Sequence, residues 1–80
     1  MKVAIYSIQE TFFQGDAEKL ICCTPFGQMT VLDHHIPLIS NLTGPSIEVV
    51  KADSGKEKIS ISSGFIEVRP GSEIVVLTNQ

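Results

Sequence analysis

Hydrophobic residues recur at every second position along most of this chain, and no stretch of ten or more residues carries the 3.6-residue period of an amphipathic helix. In Lys2 to Ile8, Val3 and Ile5 share one face and Ala4, Tyr6 and Ile8 the other, the pattern of a strand covered on both sides. A turn is expected near Gln9 to Thr11. Ala17 to Thr24 then reads as a second long strand, with Leu20 and Cys22 opposite Ala17, Ile21 and Cys23. Gln28 to Leu32, Ser46 to Ala52, Glu57 to Ser63, Phe65 to Arg69 and Glu73 to Thr78 follow as shorter strands. Asp53-Ser54-Gly55-Lys56 and Pro70-Gly71 supply hairpin chemistry between them. The expectation is one all-β domain over residues 1–80, a small antiparallel β-sandwich of about eight to ten short strands.

Eighty residues bury only about 60% of the surface their unfolded form exposes, so stability is expected to be modest. At 42% hydrophobic and 19% charged the chain has enough apolar surface to fold, which excludes disorder. Nine acidic against six basic side chains give a net charge of -3, and Arg69 is the sole guanidinium. That composition lacks the cationic footprint of a nucleic-acid binder. No apolar run approaches the roughly 20 residues of a membrane span, and the polar break in MKVAIYSIQE comes too early for a signal peptide. The chain reads as cytoplasmic. Cys22 and Cys23 are adjacent in an extended segment, so they point to opposite faces and are expected to be free thiols rather than a disulfide.

Asp33-His34-His35 invites a metal-site reading, in which a small metal-binding sandwich or metal-dependent enzyme would use these three side chains. Zinc wants three or four converging ligands, and adjacent histidines in an extended chain cannot both aim at one point. No HxH or HExxH spacing relieves this, so no metal is expected. Ser62-Ser63-Gly64 lacks the first glycine of a nucleophile elbow and reads as a bend, and the glycines form no phosphate-cradling loop. No cofactor and no catalytic residue is expected. The remaining oddity is the apolar crowd Ile36, Pro37, Leu38, Ile39 and Leu42, in what reads as a loop or irregular strand because Pro37 and Gly44-Pro45 oppose a central one. An edge position cannot hide all five, which points to a protein partner.

Phe13-Gln14-Gly15, Glu18-Lys19-Leu20, the segment from Gly27 to Leu38 and Ser62-Ser63-Gly64-Phe65-Ile66-Glu67-Val68-Arg69-Pro70 follow one another in a familiar order and spacing. They resemble the N-terminal β-sandwich domain of the epsilon subunit of F-type ATP synthases, called delta in mitochondria, over nearly the whole chain. The departures lie in the central segment. Thr30 stands where that family usually has glycine, Asp33-His34 replace Pro-Gly, Gln28 replaces an acidic residue, and Gly44-Pro45 inverts the usual order. His34 is therefore expected to take a backbone angle that glycine reaches without strain.

The resemblance implies a non-catalytic rotor part that clamps the gamma subunit to the membrane c-ring, so that ion-driven rotation reaches the catalytic head. It implies gamma contacts at Ile36, Ile39 and Leu42 and ring contacts at Ser7, Gln28 and His35. Location would be peripheral, on the cytoplasmic face of the inner (plasma) membrane, with no insertion into it. Relatives usually continue into a helical hairpin that restrains ATP hydrolysis. Since the sequence ends at Gln80, no ATP site and no such restraint are expected from this chain.

Overall fold

The computed structural model describes residues 1–79. The described residues form eight strands and no helix: β1 (Lys2–Tyr6), β2 (Thr11–Asp16), β3 (Lys19–Thr24), β4 (Gly27–Leu32), β5 (Leu38–Val50), β6 (Lys56–Ser60), β7 (Ser63–Arg69) and β8 (Glu73–Thr78). They pair in the order β2-β1-β8-β7-β5-β3-β4, with β6 added to β5, and the sheet curls into a sandwich-like shell. All pairings are antiparallel except β1 with β8, which run parallel from Lys2 against Glu73 to Tyr6 against Leu77. The all-β expectation holds, and that one pair makes the sheet mixed.

The period-two pattern fills the interior as read. Val3 and Ile5 of β1, Leu20 and Cys22 of β3, Ile47 and Val49 of β5, Ile66 and Val68 of β7, and Ile74 and Val76 of β8 are buried in one cluster. Burying each such side chain contributes about 1.5–3 kcal/mol, which is what holds so small a domain together. Cys22 and Cys23 are free thiols, as their opposite faces require. Burial, reinforced by the neighbouring Cys23, pushes the Cys22 thiol up to about 11.

Two segments differ from the sequence reading. Thr11–Asp16, where the sequence reading had a turn ending near Thr11 and no strand, is a strand pairing with β1. Its phenylalanines Phe12 and Phe13 both pack partly against the core, so the segment buries apolar surface without clean alternation. The apolar stretch thought too broken for a central strand divides: Ile36 and Pro37 stay in the β4–β5 loop, while Leu38, Ile39 and Leu42 enter the first half of β5, the longest strand among the described residues. Leu38–Thr43 pairs with β7 and Ser46–Val50 with β6, while β3 lies along the other edge through Cys23↔Thr43 and Leu20↔Val49. Between the halves, Gly44-Pro45 carries the chain from one layer to the next. A Cβ on Gly44 would lie 2.7 Å from the Ile61 carbonyl oxygen, so the bend demands glycine. Pro45 sits where the ladder changes partner and costs no paired N–H.

The shell has two distinct ends. At one, the His34 end, the β4–β5 loop meets the β7–β8 turn: the His34 N–H donates to Ser72 Oγ at 3.1 Å. At the other, the Phe26 end, the β1–β2 and β3–β4 turns converge on the start of β7 and the end of β8 around one cleft.

Candidate partner-binding surface

The outer face of β1, β8, β7 and β5 carries large apolar side chains that nothing among the described residues covers. The register places Tyr6, Leu77, Phe65 and Asn41 side by side in one row, and Ala4, Val75, Glu67 and Ile39 in the next. Phe65 is 57% and Ile39 74% exposed, with Tyr6 and Leu77 half-exposed beside them. Tyr6, Ile39, Phe65, Val75 and Leu77 line a shallow groove of about 310 Å³. Its rim is charged and internally paired. Arg69 reaches Glu67 at 3.2 Å and Glu73 at 3.7 Å, and hydrogen bonding to Glu67 raises its already high pKa further. The only guanidinium is thus held in place by two carboxylates on the same face, positioned by the β7–β8 hairpin.

The expected contact residues fall in different places. Ile39 stands on this face and Ile36, also 74% exposed, in the loop leading to it. Leu42, expected beside them, is 2% exposed, because three residues along a strand invert the direction of the side chain and turn it into the core. Ser7 is buried too: its Oγ accepts hydrogen bonds from the N–H groups of Gln9 and Glu10, closing the β1–β2 turn. Gln28 is exposed and pairs with Cys23 beside the β3–β4 turn, so Ser7 and Gln28 share the Phe26 end. His35 lies at the opposite end, its N–H bonded to Leu32 O at 3.1 Å and its Nδ1 2.8 Å from Ile36 O. The three residues expected together at the ring are therefore not brought together.

The Asp33-His34-His35 run is accounted for by local structure. His34 has φ 63°, the left-handed angle expected at the position of the family's glycine, and Ser72, which meets it across the loop, has φ 58°. The Ser72 hydroxyl, hydrogen-bonding to the carboxylate, holds Asp33 below the usual range, with the Met1 ammonium 3.8 Å away and His34 adding to it. Among the described residues no three His, Cys, Asp or Glu side chains converge as metal ligands.

Three exposed aromatic and aliphatic groups were missed on the partner face: Tyr6, Phe65 and Leu77. Their signal was the apolar second face of the first strand, Ala4-Tyr6-Ile8, which promised a cover on both sides. The described residues cover only one.

The family description for the ATP synthase delta/epsilon chain β-sandwich domain matches residues 1–80. The chain belongs to that family. ATP synthase delta/epsilon relatives include the epsilon chain of Bordetella avium, 34% identical over 76 residues, and that of Ruminococcus albus, 32% identical over 78. The matches cover 95% and 98% of this chain but 54% and 58% of those proteins, so the chain spans about half the length of the relatives it matches. The fold of this delta/epsilon domain recurs in a chain of the Euglena gracilis mitochondrial ATP synthase assembly (OSCP/F1/c-ring), with a TM-score of 0.91 at 23% identity, covering 98% of this chain and 49% of that one. It recurs also in the central stalk/c-ring of Tetrahymena thermophila mitochondrial ATP synthase, with a TM-score of 0.79 at 12% identity, covering 99% and 63%.

Proposed function

We propose that this domain is a non-catalytic part of an ATP synthase central stalk, joining the gamma subunit to the c-ring so that rotation driven at the ring reaches the catalytic head. The observation that carries the reading is the uncovered apolar face of β1, β8, β7 and β5: an antiparallel sheet usually shows water a polar side, and this one offers Tyr6, Leu77, Phe65 and Ile39. Gamma is assigned to that face, together with Ile36 and its neighbour His35. The ring is assigned to the Phe26 end, which holds Ser7 and Gln28. Leu42 supports the gamma contact from inside, as packing beneath the face. The arrangement is peripheral, on the cytoplasmic side of the membrane; no helix among the described residues is long and apolar enough to cross one.

The test is Ile39→Asp. Because Ile39 is mostly exposed, the variant domain keeps the wild-type circular dichroism spectrum, yet it loses co-purification with gamma, since an unpaired charge buried in a contact costs several kcal/mol. Normal assembly of a folded Ile39→Asp domain would sink the assignment of this face.

A further inference from the structure

The outer face of β1, β8 and β7 is divided along its strands. Towards the Phe26 end it is apolar, with Tyr6, Leu77 and Phe65 in one row, and towards the His34 end it is charged. The register there sets Asp16 of β2, Lys2 of β1, Glu73 of β8 and Arg69 of β7 side by side, so the charges alternate in sign from one strand to the next. Arg69 is bonded to Glu73, whereas Lys2 and Asp16 make no ion pair among the described residues. The face has relief as well. Over β2 and β1 it sinks into a groove of about 240 Å³ beside Ala4 and Gly15, and over β8 and β7 it carries the larger Leu77, Phe65 and Arg69.

A row of four alternating charges is its own complement when reversed. A two-fold axis lying in the plane of the face and running along the strands, midway between β1 and β8, sets a second copy on the first with that reversal. It keeps each row level with itself and lays β1 over β8, and β2 over β7, of the other copy. Lys2 then meets the partner's Glu73, Asp16 its Arg69, Ala4 its Val75 and Tyr6 its Leu77. Both side chains that lack an ion pair in one copy gain one, and the groove over β2 and β1 receives the larger side chains of β8 and β7. β5, next after β7, falls outside the overlap because β2 ends the sheet on the other side. Other placements fail. Centred on β1, the axis sets Lys2 on Lys2 and Asp16 on Glu73; centred on β8, it sets Glu73 on Glu73 and Lys2 on Arg69, and like charges face to face cost affinity. An axis across the strands buries the charged row against Tyr6, Leu77 and Phe65.

We infer that this face binds a second copy of the same chain in a two-fold dimer, with the alternating row fixing the register and the apolar rows supplying the affinity. Aligned sheets pack about 10 Å apart with their strands within roughly 30°, close enough for the long side chains of Lys2 and Glu73 to meet. Covering one face of a molecule 26 × 23 × 21 Å in extent removes on the order of 1,000 Å² in total from water. That is the low end for a specific interface, so the dimer is weak and reversible, dissociating at micromolar concentrations. The dimer does not require the assignment of gamma to this face. With both in place the two contacts exclude each other, and the dimer shields Tyr6, Leu77 and Phe65 until gamma is met.

Sedimentation velocity of the 80-residue chain, from micromolar to millimolar concentration, is expected to show its mass rising from one copy to two. Lys2→Glu and Glu73→Lys each set like charges against one another twice across the axis; both variants keep the wild-type circular dichroism spectrum, and each weakens the dimer about tenfold or more. Mixed in equal amounts, the two variants pair with each other and restore it, because the introduced charges face one another at one site and the native Lys2–Glu73 pair persists at the other. Ile39→Asp keeps the dimer, since β5 lies outside the overlap, and its loss of gamma tests that assignment separately. A chain that stays single throughout, a mass that climbs past two, single variants that dimerise like the wild type, a mixture that is not restored, or a dimer lost in Ile39→Asp and kept in Lys2→Glu overturns the inference.

Discussion

Ile39 and Leu42 were read as equivalent from the sequence, and the structure makes them opposites, which a pair of alanine variants can test. Leu42 is 2% exposed and contacts the interior where β5 crosses β7, so Leu42→Ala removes buried methylene and methyl groups and leaves a cavity, at a cost of about 2–5 kcal/mol. Ile39 is 74% exposed. It has already surrendered most of its transfer free energy to water, and roughly a quarter of the 1.5–3 kcal/mol of full burial, about 0.5 kcal/mol, is all that Ile39→Ala can remove. A domain of this size has a total stability of roughly 4–12 kcal/mol, so the first variant is severely weakened and the second barely affected. In thermal melts, about 4–8 °C per kcal/mol translates to a drop of at least 8 °C for Leu42→Ala and of only a few degrees for Ile39→Ala. Urea titration followed by circular dichroism reads the same difference as a midpoint shift at constant slope. Equal shifts for the two variants, or a larger one for Ile39→Ala, would refute the placement of β5 on which the partner face depends.

Three further outcomes are expected. Gly64→Ala puts a Cβ 2.4 Å from the Leu77 carbonyl oxygen and 3.1 Å from Thr78 Cα, both backbone atoms that cannot swing aside, so it destabilises by about 3 kcal/mol, read from the urea midpoint. With Cys22 shifted from 9.0 to about 11, its thiolate fraction at pH 8 is roughly 100-fold below that of an ordinary thiol, and iodoacetamide labels Cys23 first, as peptide mass spectrometry would report. Asp33 has a folded pKa below its unfolded value, so its contribution is present above the unfolded carboxylate range and lost as pH falls through the lowered folded value; Asp33→Asn therefore flattens the acid limb of a stability-versus-pH curve.

The parts of the fold that sequence made legible are those set by neighbours in the chain. The hairpins around Asp53–Lys56 and Pro70-Gly71, and the inward sets Ile47/Val49 and Ile66/Val68, follow from turn chemistry and a period of two. Distant pairing was not legible: nothing local in Lys2–Tyr6 indicates that it lies parallel to Glu73–Thr78. β5 was misread because Pro45 and Pro37 are sound local evidence against a central strand, and only the exchange of partners at Gly44-Pro45 removes the conflict. That same error hid the direction of Leu42. For the candidate surface, family motifs pointed to Ile36 and Ile39, both exposed, while Tyr6, Phe65 and Leu77 escaped notice because their alignment in one row is visible only once β1, β8 and β7 are paired.

β5 is hydrogen-bonded to β7 in its first half, to β6 in its second, and to β3 along both. For the role in a rotating stalk proposed above, this has a mechanical meaning. A force applied at Ile39 on the outer face reaches the opposite layer along the covalent backbone through Gly44 and Pro45, and does not have to pass through side chains that could slide. Shearing the two layers apart would require stretching that backbone or stripping both of its ladders together. The domain therefore resists twist as a single stiff body, while pulling β2 or β4 from the open edges peels it strand by strand.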